Sequence, residues 1–247
     1  MSLLVYGKTD VGRVRSTNQD ACDFGDLPEN SGIWAVVCDG MGGTNGGNIA
    51  SDIAVKTISR EVQEACRSGM EADDIRDIIE CAIDEANAEI YYKSIKELTL
   101  SGMGTTVAMA VITDGRAHIA HVGDSRVYVI SNNSVIQLTR DHSIVQMMVE
   151  AGQISEEEAK NHPQKNVITR AVGVLRYVDI DYCEYDLQEG ETLLLCSDGF
   201  SNCVEGDEML EQVLHKPPEE LAESLVALAN QQGGSDNITV VTVTNKA

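Results

Sequence analysis

The chain has 247 residues, 43% of them hydrophobic, with 18 basic against 40 acidic side chains and a formal net charge of -22. That much apolar material fills one core, so a single domain spanning 1–247 is expected, and the charge argues against nucleic acid as a partner because its phosphates would be repelled over most of the surface. No run approaches the roughly 20 apolar residues that cross a bilayer and no basic start precedes an apolar block, so a soluble, cytoplasmic protein with no membrane partner is expected, as a monomer.

From the N-terminus, runs rich in Val and Ile predict strands at 3–7 and 32–38. Apolar residues at three-and-four spacing then predict two long helices, at 47–67 and about 72–98. Strands at 104–112, 116–122, 126–131 and 134–138 follow through short polar breaks (TDG, GDS, SNNS), which suit antiparallel hairpins and not parallel crossovers. A helix at 143–151, strands at 178–185 and 191–196, helices at 207–214 and 218–231, and a strand at 237–243 complete the chain. Prolines at 28, 163, 217 and 218 interrupt none of the apolar runs. Many hairpins with two separated helical pairs predict stacked sheets flanked by helices, a layered α+β domain.

The seven cysteines, at 22, 38, 66, 81, 183, 196 and 203, form no C-x-x-C pair, which disfavours a zinc knuckle and a disulfide framework. Cys38 and Cys196 lie in apolar runs, where burial makes a thiol inert.

Four apolar runs end in, or lead directly to, an aspartate beside a small residue: WAVVCDGMGG at Asp39, IAHVGDSRVYVI at Asp124, TLLLCSDGFSN at Asp198 and GGSDNITVVTV at Asp236. Strand ends of a layered fold can converge, and converging half-buried carboxylates repel one another by several kcal/mol unless cations neutralise them. Oxygen ligands without His or Cys companions point to Mg²⁺ or Mn²⁺, and the wide spacing excludes the twelve-residue calcium loop. Gly40 lets a backbone carbonyl approach such ions, and Gly42 and Gly43 leave room for a bulky anion. In GRVRSTNQDACDF, Arg15 can offer its planar fork to phosphate while Asp20 orients metal-bound water from behind the ligands.

In order, VRSTNQD, VVCDGMGG, GTTVAMAVI, AHVGDSRVYVI, LTRDHSIVQ, NVITRAVG, LLLCSDGFSN and GGSDNITVVTV resemble the metal-dependent protein serine/threonine phosphatases of the type 2C class in their compact bacterial form. The likeness runs from about residue 5 to 243. It implies a four-layer α/β/β/α sandwich, two central antiparallel sheets between helical pairs, with a two-metal centre at one end. Carried over by position, Asp39 would bridge both ions, the Gly40 carbonyl would bind one, and Asp198 and Asp236 would complete the pair. Arg15 would hold substrate phosphate, Asp20 and Asn237 would support the ligands, and Asp124 with Asp198 would take a third ion. Residues 140–170 would form a flap beside the site.

Four positions depart from the family pattern: Gln19 where a Glu is common, Met41 where animal relatives have a His, Thr44 where many bacterial relatives have one, and Asn202 where an Asp often helps with metal. Without His at 41 and 44, protonation of the leaving oxygen falls to water. Of the five histidines, His118 and His121 sit in a strand-like run and read as structural, and His142 in RDHS lies near the flap. None suggests a Ser-His-Asp triad. The expected reaction is direct hydrolysis of phosphoserine and phosphothreonine in proteins, substrates of a serine/threonine kinase, by water bridging two ions. The competing readings are a catalytically weak phosphatase-like module that binds phosphoproteins, and a hydrolase of small phosphate esters.

Overall fold

The computed structural model describes residues 2–67 and 69–246, and the side chains of 43–45, the Thr44 departure among them, lie outside that description. In chain order come β1 (Ser2–Asp10), β2 (Asp20–Asp26), β3 (Gly32–Met41), α1 (Gly43–Ala65) and α2 (Ala72–Lys96). Then follow β4 (Gly104–Thr105), β5 (Val107–Thr113), β6 (Arg116–Val122), β7 (Arg126–Ile130), β8 (Val135–Gln137), α3 (Ile144–Glu150) and α4 (Glu156–Lys160). The chain ends with β9 (Asp181–Asp186), β10 (Thr192–Cys196), α5 (Asp198–Ser201), α6 (Gly206–His215), α7 (Pro218–Gln231) and β11 (Ile238–Lys246).

Successive side chains of a strand leave on opposite faces, and here both faces of the central strands are apolar. β3 sends Trp34, Val36 and Cys38 toward the layer of α1 and α2, and Ile33, Ala35 and Val37 toward the other sheet. β10 and β11 divide likewise: Leu193, Leu195, Val241 and Val243 meet the first sheet, while Leu194, Cys196, Ile238 and Val240 meet α6 and α7 through Met209, Leu221 and Leu225. Three apolar layers between four layers of structure follow from that alternation, which is the expected α/β/β/α sandwich. One sheet runs β2-β3-β5-β6-β9 with β4 on β3, the other β1-β11-β10-β7-β8, and the recorded pairings are antiparallel.

Several local features depart from the expected elements. β2 was not foreseen: its sequence DACDFGD holds three strand-poor aspartates, yet it lies at a sheet edge where Ala21, Cys22 and Phe24 pack inward. The single strand expected at 104–112 breaks at Thr106, whose hydroxyl accepts the Asp39 N–H (2.9 Å) while its own N–H donates to the Asp39 carbonyl (2.9 Å). Within 140–170 a second helix, α4, is closed by a capping box between Ser155 and Glu158. That segment is pinched at its base, where Ile144 N–H donates to Val167 O (2.9 Å) and Thr169 N–H to His142 O (2.7 Å).

The described cysteines are free, and burial pushes the Cys38 and Cys196 thiols well up. Among the described residues no helix is long and apolar enough to cross a membrane. Because Leu195 is fully buried between the two sheets, Leu195→Ala should destabilise the fold by about 2–5 kcal/mol, read from the midpoint of a urea unfolding curve at unchanged slope.

Candidate active site

Both sheets deliver carboxylates to the same end of the sandwich. Asp39 is near the end of β3, and Asp124 lies in the turn where the chain leaves β6 in one sheet and enters β7 in the other. Asp198 opens α5 just past β10, and Asp236 sits in the loop that leads into β11. With Arg15, Gly40, Thr106, Asn166 and Asn237 they line one cavity of about 530 Å³. No histidine or cysteine is among its described lining residues. Asp20 stands behind, directly across from Asp39 in the β2–β3 ladder.

The electrostatics show what that gathering costs. Burial, followed by the charges of Asp20, Asp198 and Asp124, holds the Asp39 carboxyl well above the usual carboxylate range. Asp198 is raised by burial and then by Asp236, and the Asp39 and Asp198 carboxyls lie within hydrogen-bonding reach of each other. Asp124 is pushed up to about 7 by burial and then by Asp198 and Asp141. Asp20 also reaches about 7, burial outweighing the hydroxyls of Ser197 and Thr239 that favour its charged form. Against these groups the cavity presents Arg15, whose Nη2 donates to Asp236 Oδ2 at 2.8 Å.

Neighbouring hydroxyls and amides hold the carboxylates. Asp20 Oδ2 accepts from Ser197 Oγ and Thr239 Oγ1, each at 2.7 Å, while its buried Oδ1 finds no hydrogen-bond partner among the described residues. Thr106 Oγ1 pairs with Ser125 Oγ at 2.6 Å, joining the Asp39 backbone to the residue after Asp124. Asn237 fastens both ends of the loop that carries Arg15: its Nδ2 donates to the carbonyls of Val11 and Thr17 (3.0 Å each), and its Oδ1 accepts the Gln19 N–H (2.8 Å). At Gly40 a Cβ would run into the Gly47 carbonyl and lie 2.6 Å from the Gln19 carbonyl oxygen, so glycine is needed there for the first turns of α1 to approach β3.

Sequence reasoning brought Arg15, Asp20, Asp39, Gly40, Asp124, Asp198, Asp236 and Asn237 forward, and the fold gathers them. It missed Thr106, Ser125, Ser197 and Thr239. Their signal was a hydroxyl placed inside or next to an otherwise apolar run, where a buried polar group must find a partner. Asn202, one of the departures, donates to Asp198 Oδ2 at 3.1 Å.

A family profile described as Protein phosphatase 2C matches residues 12–236. The chain belongs to that family. It is 41% identical over 237 residues to the serine/threonine phosphatase stp of Listeria monocytogenes, covering 96% of this chain and 93% of the relative. The Streptococcus agalactiae serine/threonine phosphatase superposes with a TM-score of 0.92 at 35% identity, covering 99% of this chain and all of the other. The catalytic domain of the phosphatase PstP, solved in complex with 2 manganese ions, superposes with a TM-score of 0.85 at 29% identity over 99% of each chain. Such agreement over nearly the whole length makes the α/β/β/α sandwich the shared feature.

Raised carboxyl groups set the sign of a pH effect. In the metal-free protein the folded state keeps protons on Asp20 and Asp124 that the unfolded chain has already released, so stability must fall as pH rises from the ordinary carboxylate value toward about 7. Scanning calorimetry in chelator should therefore give a higher Tm at about pH 5.5 than at about pH 7.5, the first inside that titration window and the second above it. The slope should be shallower in Asp124→Asn.

Proposed function

We propose that this chain is a metal-dependent protein serine/threonine phosphatase, a single catalytic domain with a flap at 140–170, in which Asp39, Gly40, Asp198 and Asp236 hold two Mn²⁺ or Mg²⁺ ions and Asp124 with Asp198 holds a third. The observation that carries the reading is four aspartates from two different sheets sharing one cavity with one guanidinium. Raised carboxyl groups, an all-oxygen donor set and the unpaired Asp20 Oδ1 fit hard divalent cations. The manganese-bound neighbour supports the same ions here.

When bound, the ions supply Lewis acidity, polarising phosphoryl oxygens and acidifying water. The chain's own groups do the rest. Arg15 turns its fork from Asp236 to the phosphate oxygens and holds the phosphoryl group in line. Asp20 Oδ1, with its other oxygen fixed by Ser197 and Thr239, is the free acceptor that orients the attacking water. Asn237 and Thr106 keep the Arg15 loop and Asp39 in place, so little reorganisation accompanies the transfer. The P–O bond to serine or threonine breaks, and the leaving oxygen takes its proton from water. Substrates are phosphorylated proteins made by a serine/threonine kinase, met in the cytoplasm by a monomer that binds neither nucleic acid nor membrane.

Inorganic phosphate released from a phosphothreonine peptide tests this. Turnover should require Mn²⁺ or Mg²⁺, stop on chelation, and fall by at least about 100-fold in Asp39→Asn and Asp236→Asn. Unchanged turnover in either variant would overturn the assignment. Arg15→Ala should lower kcat/KM by about 10–100-fold, with partial recovery in Arg15→Lys, which keeps the charge and loses the fork. The Asn202 hydrogen bond to Asp198 favours a weaker third site and with it the binding-module reading, which predicts peptide binding without phosphate release.

A further inference from the structure

His121, His142 and Asp181 bring a ligand atom each within 4.8 Å of one another, a spacing that would suit a metal ion. Their hydrogen bonds say otherwise. His142 Nδ1 accepts the Gly123 N–H at 3.1 Å, which places the ring proton on Nε2; there it faces Asp181 Oδ2 at 3.2 Å, and Arg170 Nη1, also 3.2 Å away, is a second donor that makes no hydrogen bond to it. The Arg170 guanidinium already stands against the other Asp181 oxygen, Nη1 to Oδ1 at 2.6 Å. His121 Nε2 donates to the Arg140 carbonyl at 2.8 Å, and its ring stacks on His142 with centroids 4.6 Å apart. A cation from the protein itself fills this cluster.

What the cluster does follows from where His142 lies. Its backbone N–H donates to Gly123 O at 2.8 Å while its side chain accepts from Gly123 N, so one residue holds both polar groups of Gly123. Gly123 immediately precedes Asp124 and adopts φ +105°. On the far side of Asp124, Arg126 grips Asp141, the neighbour of His142, through Nε to Oδ1 at 2.9 Å and Nη2 to Oδ2 at 2.7 Å. Between them, Ser125 is tied through Thr106 to the Asp39 backbone. The carbonyl of His142 accepts from Thr169, where the flap returns. Asp124 is thus suspended between two consecutive residues at the flap base.

We propose that His142 is a positioning residue: its Nδ1 acceptor and backbone N–H lock Gly123, so that the flap base and the Asp124 carboxylate are set as one unit. Asp181, itself held by Arg170, faces the Nε2 proton and so favours the tautomer that this requires, and the stacked His121 ring fixes the plane of the imidazole. The proposal rests on the reading of Asp124 as an ion ligand.

Hydrogen exchange and ¹⁵N shifts of the metal-free wild-type protein test the contact without any substitution. A protected Gly123 amide and an Nε2–H tautomer at His142 are expected, and a freely exchanging amide or an Nδ1–H tautomer overturns the proposal. Mn²⁺ calorimetry and kcat then test the consequence. His142→Asn places Oδ1 where Nδ1 accepts and should keep Mn²⁺ affinity and kcat within about threefold, whereas His142→Gln reaches Asp181, leaves the Gly123 N–H unpaired and should lower both by about 10–100-fold. Equal losses in the two variants, or no loss in His142→Gln where Asp124→Asn weakens Mn²⁺ binding, overturn the clamp. Unaltered Mn²⁺ binding in Asp124→Asn overturns instead the ligand reading beneath it.

Discussion

Mutual repulsion among carboxylates at the end of the sandwich is the constraint the rest of the structure answers to. Two like charges about 4 Å apart at an effective dielectric near 20 repel by about 4 kcal/mol, comparable with the roughly 5–15 kcal/mol that holds a whole domain folded. Asp39 meets Asp20, Asp198 and Asp124 at once, so full ionisation of the group is incompatible with the fold unless something neutralises it. Protons do so in the metal-free chain, where burial first and then this repulsion hold the carboxyl groups above the usual carboxylate range. Two apolar sheets packed face to face supply the rigidity that prevents the aspartates from relaxing apart.

Much of this was legible because strand ends are visible in a sequence. Asp39, Asp124, Asp198 and Asp236 each stand where an apolar run meets a small residue, and a layered fold must bring such ends together somewhere. What was hidden depends on pairing across long sequence distances. β2 reads as a polar stretch because its strand character comes from lying against β3, with Asp20 opposite Asp39, and not from its own residues. The break at Thr106 was invisible for a related reason: a hydroxyl replaces a ladder acceptor only once Asp39 is its neighbour. Helix α5, just past the strand expected at 191–196, was not foreseen, since its four residues are too few for any periodicity.

The role of Gly40 shows how one residue can satisfy two demands. Sequence reasoning assigned its missing side chain to an ion's approach, and the fold adds that the start of α1 closes on the same spot, with Gly47 against it. A substitution there would displace a helix as well as the carbonyl proposed to face an ion. Asn237 is similar, for its three hydrogen bonds satisfy backbone groups of a loop more than two hundred residues away in sequence and, through that loop, place Arg15. Such residues are structural and functional at once because the site is made from the ends of the elements that make the core.

Two polar clusters at this end of the molecule resolve their charge in opposite ways. Around His142 the protein provides its own cation: Arg170 stands on Asp181, Arg126 on Asp141, and the ring nitrogens bond to the backbone of Gly123 and to Asp181. In the aspartate cavity it provides one guanidinium, and that group is committed to Asp236. A chain able to neutralise one cluster completely has no physical obstacle to neutralising the other, and a second arginine near Asp39 would have stabilised the apo fold. The deficit is therefore informative. Asp39, held through its backbone by Thr106, and Asp20, held by Ser197 and Thr239, have no ion-pair partner among the described residues, and with their neighbours they form a place shaped for positive charge that arrives from solution.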